Sequence, residues 1–273
     1  MRFPAATGGR VTRLRQQLSP RDLAVLTSLQ KVRLLSLRQL QRLHVADGSP
    51  NARVRRAQQV LQKLHKLQLV VRLARVIGGV RAGSAGYIYG LSGLGQAVLD
   101  VGGPLGKRRR RTWETRPYFQ DHMLAVSELY VQLVEQSWQN AADLLQFDSE
   151  PSCWRYHHGQ GGEMVIVKPD AYVRLGIGAV ERSSFVEVDL GTERAPTIRR
   201  KCLRFIAYWQ SGAEQQQRGV FPKVVWLVKD EFRLTQLTQV IQKLATETQA
   251  LFEVGLLAGG AAVLAQTQEG GEK

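Results

Sequence analysis

The chain has 273 residues, of which 44% are hydrophobic and 7% aromatic, and it carries a formal net charge of +15. That length and apolar content suffice for two modest cores and exclude disorder except at the ends. No apolar run reaches the length of a bilayer span, and the first fifteen residues lack the apolar stretch of a secretion signal.

The charge is divided unevenly. Residues 1–112 hold 22 Lys and Arg against three acids, Asp22, Asp47 and Asp100, a net of +19. Residues 113–273 hold 16 against 20, a net of −4. A basic half joined to a slightly acidic half predicts two domains with two tasks. The expected partner of the first is double-stranded DNA, because each phosphate neutralised by Lys or Arg releases counterions. Membrane binding is not expected, since the basic run Lys107–Arg111 has no apolar or lipid anchor beside it. Two isolated cysteines, Cys153 and Cys202, fit a reducing compartment and make no zinc pattern. The expected location is therefore cytoplasmic, associated with nucleoid or plasmid.

Residues 1–17 read as a basic N-terminal arm. From 18 to 101 the elements follow the order of a winged helix-turn-helix. Ser19-Pro20 suits an N-cap and first turn, and Leu23 and Leu26 begin an apolar face. Ser36 caps a short second helix with Leu37, Leu40 and Leu43 inward. A third helix runs from about Asn51 to Leu67, with Val54, Ala57, Leu61 and Leu64 as its buried stripe. Its opposite face carries Arg55, Gln59, Gln62 and Lys66, flanked by Arg56 and Lys63. No acid occurs between Asp47 and Asp100. In a recognition helix, Arg grips guanine and Asn or Gln grips adenine in the major groove. Asn51, Arg53, Arg55, Arg56, Gln59, Gln62 and Lys63 are the candidate DNA contacts. Alternating Val71 and Leu73, a glycine-rich stretch, and Tyr87-Ile88-Tyr89 then predict a hairpin wing bearing Arg75 and Arg81. Ser92 caps a closing helix. Residues 102–116 read as a basic linker, in which Arg108, Arg109 and Arg110 could clamp a phosphate backbone.

Residues 117–260 predict an α/β domain in the order helix, three strands, helix, strand. The helix covers about Tyr118–Trp138. The strands are expected at 144–147 or 153–156, at 164–175 and at 184–190. A helix is expected at 195–211, a buried strand at 224–228, a helix at 234–248 and a last strand at 251–257. Alternation places Phe185, Glu187 and Asp189 on one strand face. Asp170 lies in the preceding strand. Carboxylates from neighbouring strands suit a hard divalent metal, which lowers the pKa of a bound water and polarises a phosphodiester. Residues 261–273 read as a flexible tail, and the five tryptophans as core.

Lys168-Pro169-Asp170 followed by Phe-Val-Glu187-Val-Asp189-Leu-Gly-Thr-Glu193 resembles the core of the PD-(D/E)xK nuclease superfamily. The whole chain resembles the bacterial replication-relaxation family, from Leu18-Ser19-Pro20-Arg21-Asp22 through 82–87, Asp121-His122 and the Glu187 motif to Lys201 and Tyr208. The resemblance implies a winged helix joined to a restriction-endonuclease-like domain, with a role beside plasmid replication or relaxation proteins. It implies Asp170, Glu187 and Asp189 as Mg²⁺ ligands. The superfamily lysine, two residues after the glutamate, is replaced here by Asp189, so Lys201 on the following helix is the candidate substitute, with Glu128 as an outer contact. Structural ion pairing of Glu187 and Asp189 with Arg199, Arg200 or Lys201 is the alternative. Three functions stay open at this level: a DNA-binding scaffold, a Mg²⁺-dependent endonuclease, and a transcriptional regulator acting as a homodimer or binding a ligand.

Overall fold

The computed structural model describes residues 7–73, 87–101, 117–159 and 161–266. Arg75, Arg81, Arg108, Arg109 and Arg110 lie outside them, as do the tip of the expected wing and the linker 102–116. The fold is mixed α/β, and the chain divides into two compact units, Met1–Val131 and Gln132–Lys273.

The first unit contains α1 (Thr7–Gln16), α2 (Pro20–Val32), β1 (Leu34–Ser36), α3 (Leu37–His44), α4 (Pro50–Lys66), β2 (Val70–Leu73), β3 (Ile88–Leu91) and α5 (Gly93–Leu99). The serines start the helices as expected. Ser19 and Ser36 each accept the N–H three residues on, while Asp22 and Gln39 reach back to the cap amide. These reciprocal bonds satisfy orphan N–H groups at both helix starts. Ser49 and Ser92 cap α4 and α5. A three-stranded antiparallel sheet has the order β1-β3-β2. Strand β1 is only three residues long and lies directly between α2 and α3. Gly95 lets α5 sit against the turn before β2, since a β-carbon there would lie 2.1 Å from the Leu69 carbonyl oxygen. The N-terminal segment is not an arm: α1 buries Val11, and Arg15 donates to the carbonyls of Val98 at 2.7 Å and Leu99 at 3.3 Å.

The long helix α6 (Pro117–Trp138) contains the division between units. Its Met123 and Leu124 pack with Leu34 and Ile88, and the Ser127 hydroxyl donates to Leu34 O at 2.6 Å. Helix packing thus carries the first unit past the expected boundary at 116/117.

The second unit contains β4 (Asp143–Ser149), β5 (Arg155–His158), β6 (Met164–Val167), β7 (Ala171–Ile177), β8 (Val180–Asp189), α7 (Ala195–Gln210), α8 (Ala213–Arg218), β9 (Lys223–Val228), α9 (Glu231–Gln242), α10 (Thr246–Gln249), β10 (Phe252–Leu256) and α11 (Gly260–Ala265). The main sheet has the order β10-β9-β8-β7-β4. Strand β8 runs antiparallel to β7 and parallel to β9. Its face toward α7 and α9 is filled by Tyr172, Phe185 and Trp226 from the sheet, Ile198, Cys202 and Phe205 from α7, and Leu237 and Ile241 from α9. Both cysteines are free and buried.

Four expectations change here. The segment 164–175 is two strands, because Pro169 lacks the N–H that a ladder needs, so Asp170 stands at the entry to β7. The helix expected at 234–248 is α9 and α10, separated by a turn. Residues 260–265 form α11 with Leu264 fully buried, so the tail begins later than 261. Trp138 is 56% exposed and belongs to no core.

His44 ends α3 with its imidazole Nε2 3.0 Å from the Ser28 hydroxyl. Burial, then the charge of Arg21, lowers its pKa to about 4. Between that value and the unfolded one near 6.5 the folded chain binds fewer protons, so stability is fully present above pH 6.5 and is lost as pH falls toward 4. We expect His44→Gln to flatten this part of the thermal-melting pH profile. Wild type and variant losing Tm in parallel from pH 6.5 to 4 would contradict the assignment.

Candidate functional site

In the second unit the sheet brings three of the expected residues together. Asp170 extends the β7–β8 ladder twice: its amide donates to Val186 O at 2.9 Å, and its Oδ2 accepts the Val188 N–H at 2.7 Å. Glu187 projects from β8 toward α7, where Lys201 Nζ donates to its Oε2 at 2.9 Å. Lys201 also pairs with Glu193 Oε1 at 2.8 Å, and its ammonium lies 5.5 Å from the centroid of the Trp226 ring. The stripe Ile198, Cys202 and Phe205 faces the core and so fixes the rotation of α7. That rotation aims Lys201 at the strand end.

The electrostatics follow from burial. Glu187 is only 2% exposed. Desolvation and then the charge of Asp170 raise its pKa to about 8, against the opposing pull of Lys201. Burial alone would lower Lys201, but Glu187 and Asp170 outweigh it and hold its pKa above the usual lysine value. Lys201 is therefore a persistent ammonium, suited to stabilising negative charge and not to accepting a proton.

Asp189 does not join this group. Its Oδ2 takes Arg233 Nε at 3.0 Å and Nη2 at 2.6 Å, and its Oδ1 takes the Gly191 N–H at 2.5 Å. Arg233 also donates to the Glu193 carbonyl, which ties the β8–α7 loop to α9. Among the described residues, no group of three or more His, Cys, Asp or Glu side chains is gathered for a metal. The expected third ligand is thus taken by an arginine. Glu128 is not an outer contact of this site; it bonds Gln39 and Arg42 within the first unit. Tyr208 is buried in the core and donates to Glu214. Of the expected ion partners, Lys201 does pair with Glu187, whereas Asp189 takes Arg233 instead of Arg199 or Arg200. The sequence motif includes Glu193 but gives it no role, and the structure makes it a second partner of Lys201. Arg233 carries no local signal, since it lies 44 residues from its partner Asp189.

In the first unit, α4 exposes Asn51, Arg55, Gln59 and Gln62. Arg53 and Arg56 are half-buried, and Arg53 Nε is enclosed without a hydrogen-bond partner. Lys63 is tied at 2.5 Å to Asp22 Oδ2, a carboxylate that is itself only 2% exposed. Burial works against the ionised form of Asp22, but Lys63 and Ser19 prevail and its pKa is lowered. Lys63 therefore serves the α2–α4 contact first.

A basic helical unit followed by a mixed sheet with a buried acid–lysine cluster belongs to the class of mixed α/β proteins. The chain is a member of the replication-relaxation family, whose model matches residues 26–224. That span takes in α3, α4, Asp170, Glu187 and Lys201. Among curated proteins none matches this chain. Among solved structures, the restriction endonuclease FokI aligns with a TM-score of 0.26 and 14% identity over 91% of this chain. The aligned part is 45% of the FokI chain, so this protein spans less than half of its length. No helix among the described residues is long and apolar enough to cross a membrane.

Two measurements check the charge assignments. Arg233→Met leaves Asp189 buried without its cation, and breaking such a pair costs roughly 3–5 kcal/mol. Urea unfolding should show that loss, and adding Asp189→Asn should recover most of it; a single-variant loss under about 1 kcal/mol would refute the pairing. For Glu187, the folded chain holds a proton that the unfolded chain lacks between pH 4.5 and about 8, so this group's contribution to stability falls as pH rises through that window. Glu187→Gln should match wild type near pH 4.5 and melt progressively higher toward pH 8. A variant that loses stability toward pH 8 would show Glu187 to be a stabilising carboxylate instead.

Proposed function

We propose that this replication-relaxation protein binds duplex DNA through its first unit and cleaves a strand weakly, with a divalent metal, through its second. The observation that carries the reading is the acid-free exposed face of α4, set in a half of the chain with a net charge of +19. The order α2–β1–α3–α4–β2–β3 supports a winged helix, in which α4 would enter the major groove with Asn51, Arg55, Gln59 and Gln62 toward the bases. Arg53 and Arg56 would steady the backbone. The chain would act on plasmid or mobile-element DNA, alongside replication or relaxation proteins.

The second part rests on the Asp170–Glu187–Lys201 cluster. The repulsion that weakens the acidity of Glu187 is what a cation between two carboxylates relieves. Mg²⁺ is held through one or two carboxylates with several retained waters, so Asp170 and Glu187 fit it and Asp189 does not. When bound, the metal would polarise the phosphodiester and activate a water. Lys201 would hold the developing phosphate charge. With only two protein ligands the site would be weak, so its turnover would be slow.

Supercoiled plasmid incubated with the protein and Mg²⁺, Mn²⁺ or EDTA tests the cleavage. We expect metal-dependent nicking that Glu187→Ala abolishes while gel retardation persists. Retardation without nicking under any metal would reduce the second unit to a scaffold. Retardation should weaken steeply with salt and in the Arg55→Ala/Arg56→Ala double variant; unchanged affinity would remove α4 from the interface. One protected palindrome with no metal effect would instead indicate a dimeric regulator.

A further inference from the structure

Beside the exposed face of α4 lies a cleft that the duplex reading does not use. Gln58, Gln62 and His65 form one strip of α4 along its rim, and Leu61, only 1% exposed, lies between them at the floor. The opposite wall is the stem of the β2–β3 pair. Arg72 stands directly across the ladder from Tyr89. Its guanidinium carbon lies 4.2 Å from the centroid of the Tyr87 ring, and Tyr87 is 47% exposed. Leu37 at the start of α3 closes the inner end. All these residues belong to the first unit.

The cleft has a volume of about 230 Å³. Drug-sized ligands occupy roughly 300–1,000 Å³, so this space suits a single planar ring system. The lining has the chemistry of base recognition. Aromatic rings and guanidinium planes stack on bases, and glutamine offers a donor and an acceptor side by side for a base edge. Gln62 lies both on the rim and on the exposed face of α4, so the cleft opens next to the surface proposed to follow the groove. The surrounding sequence is strongly basic, which favours a ligand attached to phosphates over a neutral aromatic molecule.

We propose that this cleft accepts one unpaired nucleobase of the DNA on which α4 sits. This inference rests on the duplex reading and deepens it, because it makes locally opened DNA the preferred substrate. A base that is already unpaired costs less to place in a pocket than one that must be extruded from a stack. Tyr87 and Arg72 would stack on it, and Gln58 and Gln62 would meet its edge.

Fluorescence anisotropy with three labelled DNAs tests this. One is a fully paired duplex, one carries a single extrahelical adenine, and one carries an abasic residue at that point. We expect the extrahelical adenine to bind roughly tenfold more tightly than the other two, as one stacked base supplies. Tyr87→Ala and Gln58→Ala should each erase that preference while leaving paired-duplex affinity unchanged, with thermal melts confirming folded protein. Equal affinity for the adenine and abasic duplexes, or a preference that survives both substitutions, would overturn the base pocket while leaving the duplex reading intact. Failure to bind any of the three DNAs would overturn both.

Discussion

A strand buried on both faces normally carries apolar side chains, because an unpaired charge there is costly to desolvate. Strand β8 breaks that rule twice, at Glu187 and Asp189, and the second unit is arranged around the consequence. Each carboxylate draws a cation from a different helix, Lys201 from α7 and Arg233 from α9. Both cations also hold the Glu193 segment, one by its side chain and the other by its carbonyl. The apolar stripes bring α7 and α9 onto the sheet, and the two ion pairs set their position along it. The pairs are not equivalent. Asp189 is fully satisfied and reads as architecture. Glu187, though paired with Lys201, remains under the repulsion of Asp170, the kind of perturbed carboxylate that concentrates at functional sites.

The first unit solves a smaller version of the same problem. Asp22 closes the cap of α2 and is drawn to Lys63, so a buried carboxylate fixes the start of one helix against the last turn of another. This spends a cation of α4 on structure and leaves Arg55, Gln59 and Gln62 facing solvent. The buried stripe Ala57, Leu61 and Leu64 sets the rotation of the helix, and with it Gln58 and His65 line the cleft beside the β2–β3 stem.

Local signals in the chain were legible, and distant ones were not. Ser19, Ser36 and Ser92 stand where they cap helices, because capping is decided within four residues. The stripe Ile198, Cys202, Phe205 announced both α7 and the side on which Lys201 would fall. Strand β1 gives no sequence signal, because the three residues Leu34-Leu35-Ser36 between two leucine-rich helices have no period of their own. Pro169 carried the warning that the strand breaks before Asp170, yet the apolar run on either side masked it. The partners of Asp189 and Glu128 could not be read at all. Each depends on which helix packs where, and opposite charges are abundant enough in the chain that composition cannot choose among them. Trp138 shows the same limit from the apolar side, since its size suggested core and its position at the end of α6 left it in solvent.

The two bonds that Asp170 makes to β8 have a consequence for how this family should vary. Its amide and carboxylate continue the ladder past the point where Pro169 interrupts it, so the residue holds two strands in register whatever chemistry takes place nearby. Glu187 makes no backbone bond of this kind; its tie is to Lys201 of α7, and it is buried at a cost. If the proposed cleavage holds, a lineage without it would be under pressure to keep the aspartate and freer to replace the glutamate. Under that reading the glutamate is the position that tracks activity, and the aspartate tracks the sheet.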